Sequence, residues 1–385
     1  MEESNRAGVF IKQQSGYRAF IPHPLPPAPP INIDMEIMTL LSKADRCLGR
    51  LDGVTEILPD PDMFVAMYVK KEALLSSQIE GTQASLIDVL DIPEPSNVDK
   101  IKNVEEVVNY IQAMNYGLER LKELPLSLRL FREIHEILLQ GVRGSERSPG
   151  EFRRTQNWIG PAGCNLATAT FVPPPPHEMF QALGELERYF YSDEQIPPLV
   201  KIGLIHAQFE TVHPFLDGNG RMGRLLITFW LCQQEILNKP LLYLSYFFKI
   251  NRIEYYERLM NVRLKGDWEG WIKFFLRGIA EVSVEASETA KKILALKESH
   301  SLLINKGGLR NTANGLRLLD KLFEQPIVTA RMTEQYLDVS YPTANTLLNE
   351  LCDLGIVTVQ ENRQRNKKYS YTSYIELLQV GTELD

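Results

Sequence analysis

Cysteine is scarce. Four occur in 385 residues (Cys47, Cys164, Cys232, Cys352), and no two stand in C-x-x-C spacing. That excludes a disulfide framework and an obvious zinc site, and it suits a reducing compartment. Long apolar runs are also missing: LLITFW (225–230) falls far short of the ~18 residues that a membrane span needs. Positive charge is not in excess either, with 42 Lys and Arg against 49 Asp and Glu and a formal net charge of −7. Such a balance argues against a chain built mainly to coat nucleic acid or an anionic membrane. The opening MEESNRAGVF has no basic stretch followed by an apolar one, so no signal peptide and a cytoplasmic location are expected. What is present, 44% hydrophobic and 24% charged residues, is the composition of a globular protein. The length predicts two or three domains.

The pattern along the chain divides it. FIPHPLPPAPP (20–30) closes an arm, residues 1–30, in which helix is forbidden and an extended polyproline path is favoured. The arm could be a disordered lead or a strap across the protein. Residues 31–95 read as a helical region; within 62–85 apolar residues recur at three- and four-residue steps, and that helix is expected to stop near Gly81. A core follows over 96–304, with helices predicted near 100–123, 126–141, 177–192, 197–212, 224–237, 251–265 and 268–300. Residues 145–176 are rich in Gly and Pro and predict a loop carrying a small β-hairpin flap. NKGGLRN (305–311) marks a linker. In residues 312–385 the order helix (313–325), helix (329–337), helix (341–354) and two short strands within 355–372 is that of a winged helix-turn-helix. The fold class expected is therefore mainly α, with a small flap and a C-terminal winged helix.

The chemistry concentrates in HPFLDGNGRMGR (213–224), which joins two predicted helices. Gly218, Asn219 and Gly220 would form the turn into the second helix, whose unpaired N–H groups and dipole favour an anion. Arg221 and Arg224 lie about one turn apart and can face one ligand, which suggests several phosphates. Asp217 is a hard oxygen donor suited to Mg²⁺. His213 can act as a general base near neutral pH. Together these residues describe nucleotidyl or phosphoryl transfer to a hydroxyl group.

The string resembles, without a gap, the Fic family signature H-P-F-x-[D/E]-G-N-G-R-x-x-R. PGEFRRTQNWIG (149–160) resembles the segment that opens the family's flap, and NRIEYYERL (251–259) its nucleoside-side helix. The resemblance implies a mostly helical Fic-type core that transfers AMP from ATP to a Ser, Thr or Tyr hydroxyl of a protein. It implies that His213 takes the hydroxyl proton and that Asp217 holds Mg²⁺. Gly218, Asn219 and Gly220 would hold the α-phosphate, the Asn through its side chain as well. Arg221 would meet the β-phosphate and Arg224 the γ-phosphate, while Met222 and Gly223 fill variable positions within the nucleotide-binding stretch. Tyr255 and Tyr256 would lie by the adenosine, and Ile159 and Gly160 in the flap would align a target segment.

SSQIEG (76–81) resembles the family's inhibitory-helix motif, with Ser76, Glu80 and Gly81 in place. It implies that Glu80 pairs with Arg224 and blocks the productive pose of ATP. The same glutamate could instead position water to remove AMP from a modified protein. A homodimer is a family expectation. DNA contact is expected through residues 340–369, where Ser340, Tyr341, Thr343, Asn345 and Asn349 precede the basic Arg363, Arg365, Lys367 and Lys368. A transcription regulator is thus the competing class. Of the other histidines, His206 is expected to be structural, and His135 has no evident partner.

Overall fold

The computed structural model describes residues 5–57, 61–91, 98–161, 163–359 and 367–384. The N-terminal arm is a strap. Strands β1 (Gly8–Lys12) and β2 (Arg18–Pro22) pair antiparallel, with Phe10 opposite Phe20. Phe20 is buried and its N–H donates to the Val172 carbonyl (2.9 Å). Arg6 ties the strap down, bonding Glu269 (2.7 Å) and the carbonyls of Pro29 and Pro30. Proline density alone gave no sign of this hairpin, because β1 precedes the prolines and β2 reaches only the first of them, Pro22.

Helices α1 (Met35–Ile57), α2 (Pro61–Ile79), α3 (Leu86–Leu90) and α4 (Val98–Arg120) form the N-terminal half. Gly81 has φ +95°, a backbone that only glycine adopts without strain, and α2 ends just before it. Then come α5 (Leu128–Leu138), α6 (Pro176–Phe190), α7 (Pro198–Val212), α8 (Asn219–Gln233), α9 (Ser245–Ile250) and α10 (Arg252–Lys265). Helix α7 is buried on every side from Leu199 to Val212, and α8 is buried from Arg221 to Leu231. Helices apolar all round belong at the centre of a core, and the His213–Arg224 motif joins these two.

Helix α11 (Trp268–Lys306) is one 39-residue rod, about 58 Å long at 1.5 Å per residue. It runs along α1, and it continues past residue 300, so part of the expected linker is helical. The remainder is α12 (Thr312–Glu324), β3 (Ile327–Thr329), α13 (Ala330–Leu337), α14 (Tyr341–Asp353), β4 (Thr358–Val359), β5 (Lys368–Ser370) and α15 (Thr372–Gln379). The three strands form an antiparallel sheet in the order β3-β5-β4. This C-terminal region leans on the N-terminal half: Gln78 Nε2 donates to the Thr382 carbonyl (3.1 Å), Gln325 Nε2 donates to the Leu90 carbonyl (2.6 Å), and Lys368 pairs with Asp91 (2.6 Å). Arg363 and Arg365 lie outside the described residues. Among those described, no helix is long and apolar enough to cross a membrane.

The flap is smaller than expected. In place of a hairpin of two strands there is one antiparallel bridge, Ile159 to Phe171 (2.8 and 3.0 Å). The proline run after Phe171 and the strap's bond to Val172 leave no room for a longer ladder.

Candidate active site

Helix α7 ends on His213, whose φ of +48° puts a non-glycine residue in the left-handed region. Such a conformation costs of order 1–3 kcal/mol and persists only where neighbours enforce it. They do so here. The His213 carbonyl accepts from Arg153 Nε (2.9 Å) and Asn157 Nδ2 (3.2 Å), both from the segment leading into the flap. Arg153 is buried and also donates to the carbonyls of Pro174 and Thr155. The turn is closed from inside by Asn219: its Oδ1 accepts from Phe215 N (2.8 Å) and its Nδ2 donates to the Phe215 carbonyl (2.9 Å). The loop itself thus takes the amide oxygen and one of its two N–H groups, and a phosphate contact from this side chain would use the second.

His135, on α5, is the residue that sequence reasoning missed. Its Nδ1 accepts from Gly150 N (3.0 Å), so the proton sits on Nε2, which donates to the Asp217 carbonyl (2.9 Å). The ring stacks on Phe215, with centroids 3.7 Å apart, and burial pushes its pKa down to about 4. A neutral histidine thus clamps the loop from below. Gly218 sits over it with φ +75°, and a Cβ there would come within 3.3 Å of the imidazole. Only the fold brings residue 135 under residue 217, so no local pattern could have shown it.

Helix α8 begins at Asn219, earlier than expected, which puts Gly220, Arg221 and Arg224 on its first turns. The two arginines are in different states. Arg224 is engaged through Nε and Nη2: Nε donates to Ser76 Oγ (2.7 Å), and Nη2 donates to the Ser76 carbonyl (2.9 Å) and to Glu80 Oε1 (2.8 Å). Gly220 makes room for that pair, since a Cβ there would lie 2.2 Å from Glu80 Oε1. Arg221 is buried but only loosely paired, 3.6 Å from Glu106 and 3.7 Å from Asp217, and its Nε and Nη1 have no hydrogen-bond partner.

Burial works to raise the Glu80 pKa, but Arg224, helped by Arg221 and His213, holds it below the usual carboxylate range. Burial opposes the charge on Arg224, and Glu80 more than restores it. His213 is pushed down to about 3 by burial and by Arg263 and Arg153, so its imidazole is neutral at pH 7. Its Nδ1 is buried without a hydrogen-bond partner. Glu210, one turn earlier on α7, is driven up to about 7 by burial, against the pull of Arg224.

Other expected residues lie elsewhere. Met222 is wholly buried in the core. Gly223 faces α7, where a Cβ would lie 2.5 Å from Glu210 Oε1, and its carbonyl meets His206 Nδ1 (2.9 Å). His206 is structural, its other nitrogen bonding the Tyr255 hydroxyl (2.9 Å). Tyr255 is thereby corrected from a nucleoside contact to a core residue, 1% exposed and stacked on Phe248. Tyr256 beside it is 42% exposed. Gly160 is exposed at the flap bridge, packed closely against Cys164 and Thr170.

Among the described residues no group of three or more His, Cys, Asp and Glu could form a protein cage for a metal. Asp217 supplies one carboxylate with 29% side-chain exposure. That donor set fits Mg²⁺, which takes one or two carboxylates and completes its shell with substrate phosphates and water.

His213 thus ends α7, Arg221 lies on the first turn of α8, and Arg224 is held by the upstream Glu80. Two family profiles match adjoining stretches that hold these residues: "Fic/DOC family N-terminal" over residues 38–119 and "Fic/DOC family" over residues 125–231. The chain belongs to the Fic/DOC family. The Fic chain is 26% identical over 187 residues to a probable protein adenylyltransferase of Aquifex aeolicus, a match covering 49% of this chain and 54% of that protein. It is 30% identical over 169 residues to the protein adenylyltransferase Fic of Drosophila grimshawi, covering 41% of this chain and 33% of that one. The match thus spans about half or a third of these relatives. A Fic family protein from Desulfovibrio desulfuricans shares the fold, with a TM-score of 0.58 at 20% identity over 89% of this chain and 97% of that one. The fold is the mainly helical one expected.

Proposed function

We propose that this Fic protein is a protein adenylyltransferase that moves AMP from Mg·ATP to a Ser, Thr or Tyr hydroxyl of a target protein, and that Glu80 restrains it. One observation carries the reading: two buried arginines reach the start of α8 beside His213, one with donors open and the other closed by Glu80. The relatives named as adenylyltransferases support the choice of ATP and of AMP as the transferred group.

The residues divide the work. The N–H groups at the start of α8 would face the phosphates, which the helix dipole favours. Arg221 and Arg224 would take the β- and γ-phosphates. Asp217 would hold Mg²⁺, which when bound neutralises phosphate charge. The neutral His213 can accept a proton, and the negative charge of a bound triphosphate raises its basicity. The target oxygen attacks the α-phosphorus, the bond from that phosphorus to the bridging oxygen breaks, pyrophosphate leaves, and the hydroxyl proton passes to His213. Ile159 and Gly160 would align the target segment at the flap bridge as an added strand. With Glu80 on Arg224, the γ-phosphate loses its partner and the triphosphate cannot settle in line.

The test is intact mass after incubation with Mg·ATP for wild type, Glu80→Gly and Glu80→Gly/His213→Ala. A gain of one AMP in Glu80→Gly at least tenfold above wild type, lost in the double variant, is expected. Equal incorporation with and without Glu80 would remove the restraint. A phosphate-sized gain would replace AMP transfer by phosphoryl transfer.

A further inference from the structure

Arg221 raises a question that its neighbour does not. A guanidinium cannot shed its proton on burial, so at 0% exposure it needs a carboxylate nearby. Two are present. Asp217 reaches it at 3.7 Å from the motif loop, and Glu106 at 3.6 Å from α4. Neither makes a hydrogen bond to it at these distances, and Nε and Nη1 stay unsatisfied. The charge is balanced while the donors are left open.

Glu106 is itself held rigidly. Its residue exposure is 8%, its Oε2 accepts from Thr82 Oγ1 (2.6 Å), and its Oε1 lies 3.6 Å from Arg143 Nε. Asp217, by contrast, is partly exposed and is the carboxylate available to a cation. Whenever Asp217 turns to that task, Glu106 is the counter-ion left to Arg221.

We propose that Glu106 is a positioning residue for nucleotide transfer: a fixed carboxylate that orients Arg221 by charge alone and leaves its N–H groups for the β-phosphate. This rests on the reading in which Arg221 meets that phosphate. Removing the charge has two opposite consequences. A polyphosphate is attracted more strongly, because one negative charge facing Arg221 is gone. Its alignment is poorer, because the guanidinium is no longer held on its axis.

The test uses the full chain carrying Glu80→Gly, with and without Glu106→Gln, whose amide oxygen can still accept from Thr82. ADP and AMP binding are measured by calorimetry without divalent cation, and AMP transfer by intact mass. Glu106→Gln is expected to lower kcat at least tenfold while ADP binds as tightly as before or tighter, with the ADP preference over AMP rising at least threefold. A kcat within twofold of the parent, or an unchanged ADP-to-AMP ratio, overturns the proposal. So does parallel weakening of both ligands with a lowered melting temperature, which is the mark of general damage. Where the parent transfers no AMP but the ratio still rises, the adenylyltransferase reading fails, and what stands is that Glu106 orients Arg221 toward a polyphosphate. Where AMP is transferred and Glu106→Gln changes nothing, the reverse holds.

Discussion

Two helix starts in this protein invite comparison. The sequence marks both α8 and α14 as ligand-facing, the first through HPFLDGNGRMGR and the second as the recognition helix of a winged helix. At α8 the chain leaves polar atoms open in a buried setting: Arg221 Nε and Nη1, His213 Nδ1 and Glu210 Oε1 all lack hydrogen-bond partners. At α14 the polar atoms are satisfied locally. Ser340 Oγ accepts from Thr343 N (3.4 Å), the Tyr369 hydroxyl donates to Asn349 Oδ1 (3.3 Å), and Glu350 lies 3.6 Å from Arg310. Lys368, expected to face DNA, pairs with Asp91 of the N-terminal half. Buried unsatisfied groups are expensive and are kept where a ligand completes them. That contrast, more than motif or charge, separates a built site from a surface.

Acid should widen the contrast most. His135, His206 and His213 are held at about 4, 3 and 3, below their usual 6.5. The unfolded chain therefore binds more protons, and stability falls as pH drops below about 6.5. Glu72 and Glu210, raised from 4.5 to about 7, act oppositely: folded, they take up protons between pH 7 and 4.5, which favours the fold over that window. The two glutamates offset much of the histidine effect down to pH 4.5, and below it the histidines act unopposed. Melting curves should change little from pH 7 to 5 and then fall steeply, by roughly a few kcal/mol at ~1.4 kcal/mol per pKa unit. Amide exchange should open residues 213–224 before 340–355. Earlier opening of α14 would break the comparison.

A substitution at the buried helix sharpens it next. Gly223→Ala pushes a methyl group to within 2.5 Å of Glu210 Oε1 and should destabilise by about 1–3 kcal/mol in urea unfolding. Tyr341→Ala, at a residue 46% exposed on α14, should stay within about 0.5 kcal/mol. Equal costs would remove the distinction between the two helices. A smaller effect than that of Gly223→Ala belongs to the pair that ties β5 to the N-terminal half. Lys368→Ala breaks a partly exposed contact with Asp91 and should lower stability by up to about 1 kcal/mol. Salt-dependent binding of duplex DNA, lost with the exposed Lys367 changed to Glu, would instead restore α14 as a binding surface.

The sequence by itself determined the parts whose geometry is local. The turn from α7 to α8, the spacing of Arg221 and Arg224 over one helical turn, the stop at Gly81 and the mainly helical class follow from short-range backbone rules that a twelve-residue string can encode. Its long signature also carried the family. The resemblance of SSQIEG anticipated the bond between Glu80 and Arg224, 144 residues apart. Tertiary structure alone decided what else meets that string: His135 lies 82 residues from the carbonyl it clamps, and Glu106 comes from a helix with no motif. Tyr255 and Tyr256 look alike in sequence, yet one is sealed in the core and the other is exposed. Burial and long-range partners set each group's charge and availability, and neither is a property of neighbouring residues along the chain.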